Sequence, residues 1–214
     1  MSTVVSAVQG FEGPGGVSPA SVDNRGNVHL CDAAAAAGAD VVLVSVVGAS
    51  ANHPMELHRA KFAAEQHLRA GTTPWTIVRA TAFLEMWADI LTKPMVFGRG
   101  ENPINFVSVQ DVAAVVTQAV LDRGLRGQTL EVGGPDNLTF NEFVAQLKAA
   151  RGDTRAVRHI PRAVLRVMAP LSRRAAAAVA MDTIDLTFDA SRSAAAVAGL
   201  QPTNVRTALR SAVA

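Results

Sequence analysis

The stretch DVVLVSVV (residues 40–47) decides the fold class. It is apolar at positions of both parities and rich in β-branched side chains, so neither face of the strand it forms is meant for water. Such a strand belongs in the middle of a parallel sheet covered by helices on both sides. Upstream, residues 3–8 form a short apolar run that ends in Gln9 and Gly10 and reads as another buried strand. A loop over 11–18 follows. Ser18 and Pro19 then supply an N-cap and a first-turn proline for a helix reaching about residue 37, with Gly38 past its end. Downstream, a helix over 54–70 stops at Gly71, and residues 75–79 form the next strand, followed by a short helix over 83–91. Residues 95–97 and 104–107, separated by GRGEN, read as a small hairpin or two short strands. Ser108 and Asp111 open a helix through 121, residues 129–132 form a strand, and Thr139 with Glu142 makes a capping box for a helix ending near Gly152.

Strand and helix alternate from residue 3 to about 121, which demands a parallel sheet with right-handed crossovers. The remainder reads as mostly helical, over 161–168, 171–180, 190–197 and 205–213. The expected organisation is an α/β sheet domain over 1–152 and a C-terminal helical cap over 153–214.

Composition sets outer bounds. The chain has 214 residues, of which 49% are apolar and 18% charged, ample for a core and contrary to global disorder. No apolar run approaches the roughly 18 residues of a membrane span. The opening MSTVVSAVQGFEGPGG has neither a basic region nor a long apolar stretch, does not read as a secretory signal, and leads to the expectation of a cytoplasmic protein. Cys31 is the one cysteine, which excludes an internal disulfide and a multi-cysteine metal site. Asp182, Asp185 and Asp189 are too dispersed for a metal, so no metal site is expected. The net charge of +2 hides an asymmetry: residues 148–174 hold eight basic groups against Asp153 alone. Without aromatic platforms or a broad basic face, nucleic acid is not the expected partner. Within that basic stretch, Arg162, Arg166, Arg173 and Arg174 are spaced among Val164, Leu165, Val167, Met168 and Leu171. An interfacial helix is one reading. The favoured one is a cap helix whose apolar face covers the sheet while its arginines face water, so membrane contact is not expected.

Ligands of parallel α/β sheets bind beyond the carboxyl ends of the strands. Gly10, Gly13, Gly15 and Gly16 follow the first strand, but their spacing is G-x-x-G-x-G-G, and Pro14 and Pro19 delay the helix whose free amides a pyrophosphate needs. A lid or ordinary loop is the better reading. At the end of the central strand stands Ser45, and sixteen residues on, along the next helix, stands Lys61. Alone, the first reads as a turn residue and the second as a solvated lysine.

Taken in order, TVVSAVQG, VDNRGNVHLCDAAAAAGADVVLVSVVGAS, ELHRAKFAAEQHLRAGTTPWTIVRATAF, INFVSVQDVAAVV and LEVGGPDNLTFNEF resemble the atypical short-chain dehydrogenase/reductase superfamily, in particular its NmrA-like, NAD(P)H-binding branch. TFDASRSAAAVAGLQPTNVRTAL resembles it more weakly. The resemblance implies a Rossmann-like sheet, an NAD(P)H cofactor and a small carbonyl or quinone as substrate. By position, Lys61 looks like the lysine that hydrogen-bonds the nicotinamide ribose, and Ser45 like the serine that orients the substrate carbonyl. Ala7, Val8, Gln9 and Gly10 would line the cofactor ribose, and Ala80, Thr81 and Phe83 the nicotinamide end. Two departures stand out. The tyrosine expected four places before Lys61 is Leu57, and the chain contains no tyrosine at all, so a carbonyl reductase here lacks its usual proton donor; His53 and His58 are the nearby substitutes. The family also begins with strands and a glycine-rich turn that precede the segment opening this chain, roughly 60 residues at about 30 per βαβ unit. The expectation is therefore a sheet truncated at its N-terminus, with weakened NAD(P)H binding and an exposed first strand through which the chain self-associates. A non-catalytic NAD(P)-binding sensor or assembly subunit, and an inactive remnant, are the alternatives.

Overall fold

A computed structural model describes residues 2–11 and 15–213. Gly13 and Pro14, two members of the glycine-rich loop, lie outside the described residues. The chain divides into two compact units, each assembled from separated segments: residues 1–80, 112–132 and 194–199 form the first, and 81–111, 133–193 and 200–214 the second.

The first unit contains a four-stranded parallel sheet of β1 (Thr3–Ser6), β2 (Asp40–Val46), β3 (Trp75–Ala80) and β7 (Gln128–Val132), in the order β1-β2-β3-β7. The apolar stretch at 40–47 thus forms an interior strand. Its odd-numbered side chains Val41 and Leu43 join Cys31 and Ala34 of α1 (Asn27–Ala36), Ala64 and Leu68 of α2 (Glu56–Ala70), and Ile77 of β3 in one buried cluster. By the two-residue period of a strand, Ser45 continues that same face toward α2. β1 is an edge of the sheet among the described residues and pairs only with β2, Val5 standing opposite Val42. Val5 itself is exposed.

The helix expected from Ser18 starts differently. Residues Ala20–Gly26 form a wide π-helical segment that runs into α1. This places Asp23 and Asn27, four residues apart, on one fully buried side. The Ser6 hydroxyl donates to Asn27 Oδ1 at 2.6 Å, and the Asn27 amide donates to the Asp23 carbonyl at 2.8 Å. Gly10 approaches this segment so closely that a Cβ there would lie 2.6 Å from the Ser18 carbonyl and from Val22. That packing, rather than a phosphate, accounts for a glycine at position 10.

The second unit holds β4 (Ala82–Phe83), β5 (Met95–Phe97), β6 (Pro103–Val107), β8 (Asn137–Thr139) and β9 (Arg158–Ile160). Of the two readings for 95–97 and 104–107, two short strands holds and the hairpin does not. β6 lies between β4, parallel, and β8, antiparallel, whereas β5 pairs in parallel with β9. Its core gathers Leu84 and Ala88 of α3 (Leu84–Ile90), Phe106 of β6, Phe143 and Leu147 of α5 (Phe140–Arg151), and Leu209 of α8 (Val205–Val213). Phe106 and Phe143 stack with ring centroids 4.4 Å apart. Thr139 and Glu142 form the expected capping box on α5. Asp111, near the start of α4 (Val109–Leu121), was expected to cap that helix. Instead its carboxylate accepts bonds from the amide and hydroxyl of Thr203, while Ser108 Oγ accepts the Gln110 amide.

The basic segment forms α6 (Arg162–Met168) and α7 (Arg173–Met181). Only Leu165 of α6 is buried; Val164, Val167, Met168 and the following Leu171 are exposed. The apolar face thus does not serve as a cover, and the reading of these residues as a sheet-facing cap is corrected. No helix among the described residues is long and apolar enough to cross a membrane.

Candidate functional site

At the carboxyl end of the first unit's sheet, a buried ion pair organises the loop after β1. α2 turns Lys61 and Glu65, four residues apart, toward β2, and both are buried. The Lys61 ammonium donates to the Val8 carbonyl at 2.8 Å and to the Val44 carbonyl at 3.0 Å, and lies 3.1 Å from Asp23 Oδ1. Two of the three N–H donors of the ammonium thus reach backbone carbonyls, while Asp23 Oδ1, buried and without a hydrogen-bond partner, balances its charge as an ion pair. Burial pulls its pKa below the ordinary lysine value, opposed by the Asp23 and Glu65 carboxylates. The second Asp23 oxygen accepts the Gly10 amide at 2.8 Å. Lys61 and Asp23 together therefore hold both ends of the segment from Val8 to Gly10.

Ser45 enters a second network. Its hydroxyl donates to Glu65 Oε1 at 2.6 Å. The Arg79 guanidinium donates to both oxygens of the same carboxylate, at 3.0 and 2.6 Å, and Arg69 lies 3.4 Å from it. Glu65 also raises the Arg79 pKa above the ordinary arginine value. A serine has one O–H, so in this arrangement it is committed to Glu65. The structure thus brings Ser45 and Lys61 to one helix face but gives each its own buried carboxylate.

Of the residues expected to line a cofactor, Ala7, Val8 and Gln9 are exposed at the carboxyl end of β1, and Gly10 and Ala80 are buried. Leu57, in the tyrosine position, is half-buried. Thr81 and Phe83 belong to the second unit and are half-buried. There the Thr81 hydroxyl donates to Asn105 Oδ1 at 2.9 Å, and fully buried Asn105 also binds Gly134, Asp136 and Asn137. Ala7–Gln9 thus form an exposed ledge that Lys61 holds through the Val8 carbonyl. After the glycine-rich stretch, Ser18 Oγ accepts the Ser21 amide and Ser21 Oγ accepts the Ser18 amide, so these two serines cap each other. Among the described residues no group of acids, histidines and cysteine is placed to hold a metal ion.

His53 and His58 stack with centroids 3.8 Å apart. Burial, with a smaller contribution from His53, holds the His58 pKa down to about 3 from 6.5, so His58 is neutral, and no proton donor, near pH 7. The unfolded chain takes up the proton first, which means the contribution of His58 to stability is intact above about pH 6.5 and declines as pH falls toward 3. From pH 7 to pH 5 the loss amounts to about 2 kcal/mol. Urea titrations at both pH values should show that difference between wild type and His58→Asn, and equal slopes with pH would contradict it.

Asp23, Glu65, Arg79 and Asn105 were not singled out from the sequence. The available signal was charge in a buried context: Arg79 interrupts the apolar strand WTIVRA, and Glu65 follows Lys61 by one helical turn on the inward face.

These features define a Rossmann-type protein with its ligand edge at the end of a parallel sheet. Residues 1–123 match the model of a family described as NAD(P)H-binding, and the chain belongs to that family. It is 30% identical over 137 residues to the NAD(P)H azoreductase of Xenophilus azovorans, covering 61% of this chain and 47% of that protein. It is 34% identical over 114 residues to the mitochondrial NADH dehydrogenase [ubiquinone] 1 alpha subcomplex subunit 9 of Arabidopsis thaliana, covering 48% and 28% respectively. The chain thus spans less than half the length of these relatives. Among solved structures, the NADPH-dependent quinone oxidoreductase QOR2 of Escherichia coli, complexed with NADPH, superposes with a TM-score of 0.73 at 18% identity over 97% of this chain and 74% of that one. A nucleoside-diphosphate-sugar epimerase from Staphylococcus aureus gives 0.75 at 17% identity, covering 98% and 76%. At such identities these two likenesses speak for the fold.

Proposed function

We propose that the chain serves NAD(P)H-dependent reduction of a small acceptor of the quinone or azo type, in the cytoplasm. The observation that carries this is the state of Lys61: its ammonium is buried, bonded to the Val8 and Val44 carbonyls and ion-paired with Asp23, the position one turn before it is Leu57, and His58 is neutral near pH 7. Such a site has no side chain ready to protonate an alkoxide, whereas a reduced quinone draws its protons from solvent. When bound, the nicotinamide supplies the hydride. The chain's own residues supply position: Asp23 and Lys61 fix the segment from Val8 to Gly10, proposed for the ribose side, and Ala80, at the end of β3, is proposed for the nicotinamide end. Family membership and the azoreductase likeness support this reading. β1, an edge strand among the described residues with Val5 exposed, supports self-association of the chain.

The test is NADPH consumption by the purified chain against a panel of quinones, azo dyes and simple ketones. Turnover with the first two and not with ketones is expected. NADPH binding without consumption across the panel would instead assign a non-catalytic dinucleotide-binding subunit. Ser45→Ala sharpens the result. It removes one bond to a charged acceptor and should cost about 1.5–3 kcal/mol of stability, with quinone turnover per folded molecule retained. A fall of about 10²-fold or more, the size seen when a donor to a reacting oxygen is deleted, would return Ser45 to the carbonyl-orienting role.

A further inference from the structure

The hairpin of α6 and α7 carries an exposed apolar stripe that no part of the proposed reductase site uses. Val164, Val167 and Met168 follow the spacing i, i+3, i+4, which puts them on one side of α6, and Leu171 follows in the turn after it. Leu165 and Arg162 point the other way: Leu165 is buried, and the Arg162 guanidinium lies 3.4 Å from the buried Asp182 carboxylate. The stripe is thus turned outward by the anchoring of the opposite side. Leu171, in the turn between the helices, is 93% exposed, and Val167 is 78% exposed. Arg166, Arg173 and Arg174 are exposed in the same hairpin.

We propose that this hairpin docks the protein on an anionic lipid surface, with Leu171 and Val167 entering the interfacial layer and the arginines meeting the headgroups. Two observations select lipid over a protein partner. Residues 154–181 contain six arginines and no acidic residue, a charge pattern complementary to an anionic sheet of headgroups. Leu171 stands on a turn instead of lining a groove, a shape suited to insertion into a fluid layer. Since no helix among the described residues is long enough to span, the contact is peripheral. The inference rests on the exposure and charge of the hairpin and is independent of the reductase reading.

Co-sedimentation of the full chain with vesicles tests it, using pure phosphatidylcholine against an equal mixture of phosphatidylcholine and phosphatidylglycerol, after sedimentation velocity without lipid has set the protein's own mass. Binding to the mixed vesicles alone is expected, weakening as salt is raised. Leu171→Ser should reduce it on the order of tenfold, and Arg166→Gln about fivefold. Both side chains are exposed, so the thermal midpoint should not move. The proposal is overturned if the chain ignores the anionic vesicles, if it binds both compositions equally, or if Leu171→Ser binds as wild type does. It is equally overturned if Leu171→Ser changes the protein's mass in the lipid-free run and not its lipid binding, which would make the stripe an interface between copies of this chain.

Discussion

Lys61→Met should lower the unfolding free energy of the chain by about 3–5 kcal/mol, the size expected when one partner of a buried ion pair is removed. The methionine keeps the length of the side chain and most of its apolar contact, so the loss is that of charge and donors. Asp23, fully buried, then has no cation, and the carbonyls of Val8 and Val44 lose their shared donor. The Gly10 amide still reaches Asp23, but the segment between Val8 and Gly10 is held at one end only. Urea unfolding gives the stability, and NADPH titration gives the second expected effect, weaker binding through a loosened ledge. Adding Asp23→Asn to Lys61→Met removes the stranded charge and should restore part of the lost stability. A Lys61→Met protein as stable as wild type that has nonetheless lost all turnover would make the lysine a reacting group and not a clamp.

The legibility of this arrangement from sequence differs from residue to residue, for physical reasons. The strand at 40–47 could be read because burial on both faces leaves an unbroken apolar run, and the α2 helix because its inward face repeats with helical spacing. That Lys61 lies inside was signalled only by family resemblance, since a helix position says which neighbours share a face and nothing of what satisfies an ammonium there. Its partner Asp23 sits on a π-helical segment, where the register departs from the 3.6-residue spacing used to assign faces. The pairing of β5 with β9, sixty-three residues away by register, is a long-range choice that local pattern cannot make. The α6 stripe shows the same limit in reverse. Its spacing identifies the common side of Val164, Val167 and Met168, but whether that side is covered depends on what lies across from it, and nothing in the segment encodes that.

The Glu65 network should respond as strongly as the lysine clamp. Glu65→Ala removes the acceptor of the Ser45 hydroxyl and of two Arg79 donors at once, leaving a mostly buried guanidinium whose nearest other acid is Glu131 at 3.7 Å. About 3–5 kcal/mol of stability should be lost, a large part of the roughly 5–15 kcal/mol that holds a domain together. Replacing both partners separates a requirement for the pair from a requirement for packing. Glu65→Met with Arg79→Met fills similar volume, and the charges it leaves behind, Arg69 and Glu131, are partly open to water; such exchanges are often neutral or stabilising. The double variant should therefore unfold near the wild-type midpoint, although each single change is costly. It also frees the Ser45 hydroxyl, which no longer has a carboxylate to satisfy. If the stable double variant then reduces quinones as wild type does, the pair acts as internal scaffolding between α2, β2 and β3. If it is folded but turns over poorly, the position that Glu65 imposes on Ser45 is what the reaction requires, and the scaffold reading of that serine fails.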